Sequence, residues 1–240
     1  MGEAKTVEVT TPDGPMALYE AVPDGPARGA VIVVQEAFGV NEHIEDVTRR
    51  FAGVGYHAVA PHLFHRAGGG TASYEDFSQV IPLFEGLTDE GILMDIDAAR
   101  ALLVAAGFTD AQTGIVGFCF GGRATFLVAL RRHLGAASGF YGGGLVKRRF
   151  PQFPELAGEA ASLQTPWLGL FGDEDASIPI EEVEELREAL VASPVPTEIV
   201  RYPGAEHGFH CDVRASYDAE AAADAWSRTL TWFDAHLEAT

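Results

Sequence analysis

A cysteine stands in the segment GFCFGG (117–122), with Gly117 two positions before Cys119 and Gly121 two positions after it. A run of strand-forming residues ends there, and a helical pattern begins. A nucleophile at such a corner needs a strained backbone at its own position. It also needs small residues two positions away, so that strand and helix can approach closely. A thiol held there sits at a helix N-terminus, whose dipole favours the thiolate. Two further residues complete a possible relay. His207, in YPGAEHGF (202–209), could take and return the proton, and Asp175, in FGDEDASIP (171–179), could orient the imidazole. Asp173 competes for the acid role. Asp175 is favoured because it lies three residues after Gly172 and is followed by Ile178-Pro179, a helix start that fixes the loop. The backbone N–H groups of Phe120 and Ala37 are the expected donors of an oxyanion hole.

The elements that must position these residues alternate along the chain. Val7 and Val9, the turn Pro12-Asp13-Gly14 and the segment Met16–Val22 predict an opening hairpin. Ala30–Val34 is an unbroken apolar run, as in a strand buried on both faces. Asn41 is placed to cap a helix carrying Ile44, Val47 and Phe51. Strands are predicted at Tyr56–Ala60, Thr113–Val116, Ala136–Tyr141, Pro166–Phe171 and Thr197–Tyr202. Helical stripes are predicted at Leu93–Ala106, stopped by Gly107, at Gly122–Leu130, from Pro179 through Leu190, and at Trp226–Leu237. This pattern predicts an α/β class with a mostly parallel central sheet and helices on both faces, in a single domain spanning 1–240. The stretch 146–165 is an unusually loose connection. Parallel sheets place ligands beyond the carboxyl ends of their strands. Cys119, Asp175 and His207 each follow a predicted strand, in the chain order nucleophile, acid, histidine that α/β-hydrolases use.

Composition excludes several function classes. With 16 Lys and Arg against 35 Asp and Glu, the net charge is −19, which repels nucleic acid at long range. The longest apolar runs are too short to span a bilayer, and the N-terminus MGEAKTVEVTT has no signal pattern. Two cysteines make no disulfide framework, so a reduced cytoplasmic setting is expected. Cys119 and Cys211 could also be read as a redox pair. The pairs His62/His65 and His207/His210 fall short of the three or four converging ligands a metal needs, so no cofactor or metal is expected. Lys147–Arg149 is the one basic cluster, read as solvated surface or as a substitute anion clamp.

QEAFG (35–39), GFCFGG, FGDEDASIP and YPGAEHGF together resemble the dienelactone hydrolase family, with weaker matches at PHLFHR (61–66) and FYGGG (140–144). The resemblance implies an α/β-hydrolase fold and hydrolysis of ester or lactone bonds by a Cys-His-Asp triad through a thioacyl-enzyme, without a cofactor. It also implies that Glu36 contacts the resting cysteine and controls its ionisation. Family members that hold a substrate carboxylate are expected to use arginines, one in the segment after PHLFHR and one shortly after the histidine. No arginine occurs between Arg66 and Arg100, and Cys211 stands four positions after His207. A less anionic small-molecule substrate is therefore expected, in a pocket walled by Phe38, Phe84, Tyr141 and Phe209. The competing reading is a redox-sensing or ligand-binding protein on the same fold with little turnover.

Overall fold

The computed structural model describes residues 2–240. Its strands are β1 (Ala4–Thr11), β2 (Gly14–Ala21), β3 (Ala30–Val34), β4 (His57–Pro61), β5 (Thr113–Phe118), β6 (Ala136–Phe140), β7 (Trp167–Gly172) and β8 (Thr197–Tyr202). Its helices are α1 (Glu42–Gly53), α2 (Val80–Phe84), α3 (Asp89–Ala105), α4 (Phe120–Arg131), α5 (Ile180–Leu190) and α6 (Ala219–His236). All eight strands form one sheet in the order β1-β2-β4-β3-β5-β6-β7-β8. The hairpin β1–β2 joins β4 antiparallel, and every later pairing is parallel. β3 has β4 on one side and β5 on the other, so the strand order reverses there. The crevice beyond the carboxyl ends of β3 and β5 is the switch point at which open α/β sheets bind ligands.

Burial explains the composition of the central strands. Every residue of β3, β5, β6 and β7 is buried, as expected for parallel strands covered on both faces. Alternation within β6 shows the two layers. The Ser138 hydroxyl bonds Thr229 of α6 at 3.0 Å. A Cβ on the next residue, Gly139, would point the other way and lie 2.8 Å from Thr125 Oγ1 of α4. α1 and α6 share the first face, where Phe51 meets Trp226 and Phe233. α3 packs with α4 on the opposite face.

The predicted elements are present with shifts of a few residues. Asn41 caps α1 as expected, its side-chain oxygen accepting from the Ile44 N–H at 3.2 Å. Ile96, Ala99 and Leu103 of α3 are buried as expected and Ile92 joins them, while Leu93 is half-buried and Ala106, past the helix end, is exposed. Asp95 is buried on the same face, where Arg66 and His65 hold its carboxylate at 2.7 and 3.0 Å. α6 likewise turns small residues, Ala221, Ala222 and Ala225, to the sheet together with Thr229 and Phe233. Trp226 and Leu230 flank that face.

The junction of β5 and α4 is the tightest contact for the site. A Cβ on Gly117 would lie 2.1 Å from the Gly121 carbonyl oxygen, and one on Gly121 would lie 2.4 Å from that of Val34. Backbone cannot retreat there without moving strand or helix. Gly117→Ala should therefore cost about 3 kcal/mol or more through overpacking. Gly158→Ala, with open space around its Cβ, should stay within about 0.5 kcal/mol of the parent. Urea unfolding of both variants checks this, and an unchanged midpoint for Gly117→Ala would contradict the packing argument.

Candidate active site

Cys119 occupies the residue between β5 and α4 with φ 54° and ψ −114°, a left-handed conformation unusual for a side chain with a Cβ. The corner is pinned from both directions. The Cys119 N–H donates to Phe140 O at 3.0 Å, and Cys119 O accepts from the Arg123 N–H at 3.2 Å. The next N–H, that of Phe120, lies in the first turn of α4, where backbone donors have no intrahelical acceptor.

His207 lies in the loop after β8, and Asp175 in the loop after β7. One Asp175 oxygen is fixed by its own turn, accepting from the Ser177 N–H at 2.8 Å, the Ser177 hydroxyl at 2.6 Å and the Ile178 N–H at 3.2 Å. The other oxygen meets His207 Nδ1 at 2.6 Å. Burial would push the Asp175 carboxyl up, but the His207 and Ser177 hydrogen bonds outweigh it and hold it below its ordinary value. Burial likewise opposes a charged His207. Cys119 and Asp175 overcome that penalty and raise the imidazole to about 10. Asp173 is held elsewhere, by Arg201 at 2.7 Å. Of the two candidate acids, Asp175 is the one in contact with the imidazole.

A cavity of about 270 Å³ opens over this group, with Ala37, Cys119, Phe120 and His207 in its wall. Its other walls are aromatic: Phe77, Phe84, Phe150 and Phe153. Phe84 is the one expected wall residue among them. Phe38 packs against Tyr74, Phe77 and Arg214 beside the cavity. Tyr141 is fully buried, its ring 5.0 Å from His207, and its hydroxyl has no hydrogen-bond partner among the described residues. Phe209 is enclosed by Phe140, Tyr141 and Tyr202 and belongs to the core.

Glu36 has no solvent exposure, yet its partners differ from the expected one. Its carboxylate accepts from the Tyr74 hydroxyl at 2.7 Å and from Arg214 Nη1 at 3.5 Å. No hydrogen bond joins it to Cys119 among the described residues. Burial and the Glu36 charge push the Tyr74 phenol far up. The Cys211 thiol, which donates to Tyr74 at 3.5 Å, is raised to about 11 by burial and by Glu36.

Arg214 corrects the expectation of a site without arginine near the histidine. It follows His207 by seven positions, beyond the window of four, and the turn after Cys211 brings it back over Tyr74 and Phe38. Tyr74, Ser177, Phe77, Phe150 and Phe153 also escaped the sequence reading. The two phenylalanines at 150 and 153 lie in the stretch read as a loose connection, where no periodicity marks a wall. Arg149 and Arg123 reach the cavity too. Arg149 binds the Ser177 carbonyl and Glu182, and Arg123 grips Asp89 with both terminal nitrogens at 2.7 and 3.0 Å. Lys147 lies 3.6 Å from Glu182, and Arg148 pairs with Glu155.

His62 carries no metal-ligand cluster with His65, and no group of three metal-ligating side chains occurs among the described residues. His210 stacks between Phe118 and Trp226. No helix of the described residues is long and apolar enough to cross a membrane.

An open, mostly parallel sheet with a cysteine at the corner after β5, an aspartate after β7 and a histidine after β8 has the layout of the α/β-hydrolase fold. The Dienelactone hydrolase family model matches residues 16–237, and the chain belongs to that family. A protein of Escherichia coli K12, provisionally named carboxymethylenebutenolidase, is 41% identical over 91% of this chain and 82% of its own. A similarly named protein of Methylorubrum extorquens is 38% identical over 96% of this chain and 80% of its own. The crystal structure of a provisionally named dienelactone hydrolase from Klebsiella pneumoniae superposes with a TM-score of 0.88 at 40% identity, covering 97% of this chain and 99% of that one. The protein is thus a hydrolase of the dienelactone hydrolase type.

Burial of histidines makes the fold sensitive to acid. It drives His210 down to about 3, with the neighbouring His43 adding to the effect, and lowers His43 as well. Below about pH 6.5 the unfolded chain binds protons at these histidines that the folded protein refuses, so stability falls with pH. His210→Phe should weaken the loss between pH 7 and pH 5. Urea midpoints at both values check this, and an identical loss in the variant would rule out His210 as a source.

Proposed function

We propose that the protein hydrolyses carboxylic ester or lactone bonds through a Cys119-His207-Asp175 triad and a thioacyl intermediate. The observation that carries this reading is His207, bonded to Asp175 through Nδ1 at 2.6 Å and sharing a cavity wall with Cys119, which stands on a positive-φ strand-to-helix corner. His207 takes the Cys119 proton, and the sulfur attacks the carbonyl carbon. The developing oxyanion is met by the Ala37 and Phe120 N–H groups, each such donor being worth roughly 3–4 kcal/mol. When the tetrahedral adduct collapses, the C–O bond breaks and His207 protonates the leaving oxygen. His207 then deprotonates a water, which attacks the thioester carbon. The acid departs and the thiol is restored. Glu36, turned to Tyr74 and Arg214, leaves His207 as the base for Cys119 in this arrangement. The reaction draws on no metal or organic cofactor.

The test is turnover of a chromogenic short-chain ester with and without iodoacetamide. Loss of turnover on alkylation supports the triad. Stoichiometric labelling of a protein that never turns over supports a sensing or binding role instead. Cys119→Ala and His207→Ala should each lower kcat by roughly 10³-fold or more, with no additive loss in the double variant. Asp175→Asn should cost far more than Asp173→Asn, whose carboxylate serves Arg201. The reverse ranking would falsify the assigned acid.

The substrate preference follows from the charges in the cavity wall. Arg123 and Arg149 each already hold a carboxylate, and so does Arg214 beside them. An anionic substrate would find no unpaired cation there and would forgo charge-assisted contacts worth roughly 1.5–3 kcal/mol each. A methyl ester of a carboxylated lactone should therefore show a higher kcat/KM than the free acid at fixed ionic strength. An acid better by tenfold would mean that one arginine exchanges its partner for the substrate.

A further inference from the structure

The cavity over Cys119 does not end at its aromatic wall. Phe84 and Phe150 stack with ring centroids 5.1 Å apart at an interplanar angle of 29°. The same pair, with Phe77, also lines a second groove of about 390 Å³ that runs on past Val80, Ile81 and Gln152. The two spaces therefore share three residues, Phe77, Phe84 and Phe150, and the stacked rings of the last two form a partition between them. Phe84 is buried and anchored on Phe64, Phe120 and Phe153. Phe150 is only half-buried and sits on a connection without regular structure, so it is the movable half. The far groove also leaves apolar surface in water: Ile81 is 59% exposed and Phe77 51%. The first cavity, at about 270 Å³, lies just below the range for small-molecule sites, about 300–1,000 Å³.

We propose that the substrates are esters whose acyl part carries an extended apolar arm, and that Phe150 sets how far that arm reaches. This rests on the hydrolase reading above. The acyl end is favoured by the placement of the site. A leaving oxygen must face His207, whose ring packs against Tyr141. The aromatic wall gathers instead around Phe120, with Phe84 at 4.9 Å and Phe153 at 5.3 Å. An arm running from the carbonyl carbon along Phe120 meets the Phe84–Phe150 partition and, with Phe150 turned aside, enters the second groove. There it covers Phe77 and Ile81. The arginines of the wall do not oppose this, because Asp89 and Glu182 neutralise them.

The experiment is kcat/KM for p-nitrophenyl acetate, butyrate, hexanoate and octanoate, which keep one leaving group throughout. A buried methylene is worth up to about fourfold. Octanoate should therefore exceed acetate by at least roughly tenfold. Phe150→Leu should raise the octanoate-to-acetate ratio and Phe150→Trp should lower it. Ile81→Asp, a change at an exposed position that spares folding, should lower that ratio by placing a charge along the arm. A flat or falling series with acetate still cleaved by a Cys119-dependent reaction overturns this inference and leaves the hydrolase reading standing. So does a chain-length gain that appears only on the alcohol side, with octyl acetate. If none of the four esters is cleaved, the hydrolase reading fails and this inference fails with it.

Discussion

The close approach of β5 to α4 is the constraint on which the site depends. Gly117 and Gly121 let the chain reverse within the two residues Cys119 and Phe120, and Gly121 also lies against the carbonyls of Val34 and Gln35 at the end of β3. One contact therefore sets two things. It forces Cys119 to a positive φ, a conformation that typically costs 1–3 kcal/mol and persists only where its surroundings over-determine it. It also brings the end of β3 beside the start of α4, so that Ala37 and Phe120 border the same cavity as the thiol. A larger side chain at either glycine would separate the Cys119 thiol from the N–H groups of Ala37 and Phe120 as well as strain the fold.

The charges around this corner show how a site can be buried and still polar. Asp175 is 3% exposed, but its two oxygens accept four hydrogen bonds from Ser177, Ile178 and His207. Glu36 is fully buried with Tyr74 and Arg214 as partners, and Tyr74 is itself held by Asn41 at 3.0 Å. An isolated carboxylate in either place would be costly, whereas a paired one fixes the groups it binds. The Glu36 set ties the turn after β3, the loop carrying Tyr74 and the segment after His207 into one unit. A change at Tyr74 or Arg214 would thus be felt at Glu36, one residue from Ala37.

The sheet and the positions of Cys119, Asp175 and His207 beyond its strand ends were legible because each leaves a local mark. Continuous apolar runs announce β3 and β5, and glycines at fixed offsets announce the corner at Cys119. Asp175 could be chosen over Asp173 from its place before Ile178-Pro179, and the Asp175–His207 contact agrees with that choice. What escaped has no such mark. Phe150 and Phe153 reach the cavity from a stretch without strand or helix periodicity. The burial of Asp95 on the apolar face of α3 goes with its pairing to Arg66, a contact across 29 residues that no window of helical spacing contains. Arg214 was missed because the loop after His207 makes successive turns, Cys211 to Gly208 and Arg214 to Cys211, which return a residue seven positions on to the site. Sequence spacing measures chain length, whereas reach depends on how the loop folds.

Pairing of this kind lets a strongly acidic chain place two arginines in the wall of an apolar cavity and a third behind it, over Phe38 and Tyr74. Each has a carboxylate partner supplied by a separate element: Asp89 from α3 for Arg123, Glu182 from α5 for Arg149, and Glu36 from the turn after β3 for Arg214. The guanidinium planes then act as flat hydrophobic-faced surfaces. Arg123 lies 5.0 Å over Phe153, and Arg214 lies 5.4 Å over Tyr74. Arginine suits this role because its charge is delocalised and weakly hydrated, so it can pair at its edge and stack on its face at once. In such a wall the arginines lend shape and rigidity while their charge is already answered. A count of basic residues near a site therefore says little about the charge of what the site receives until the partners of each are known.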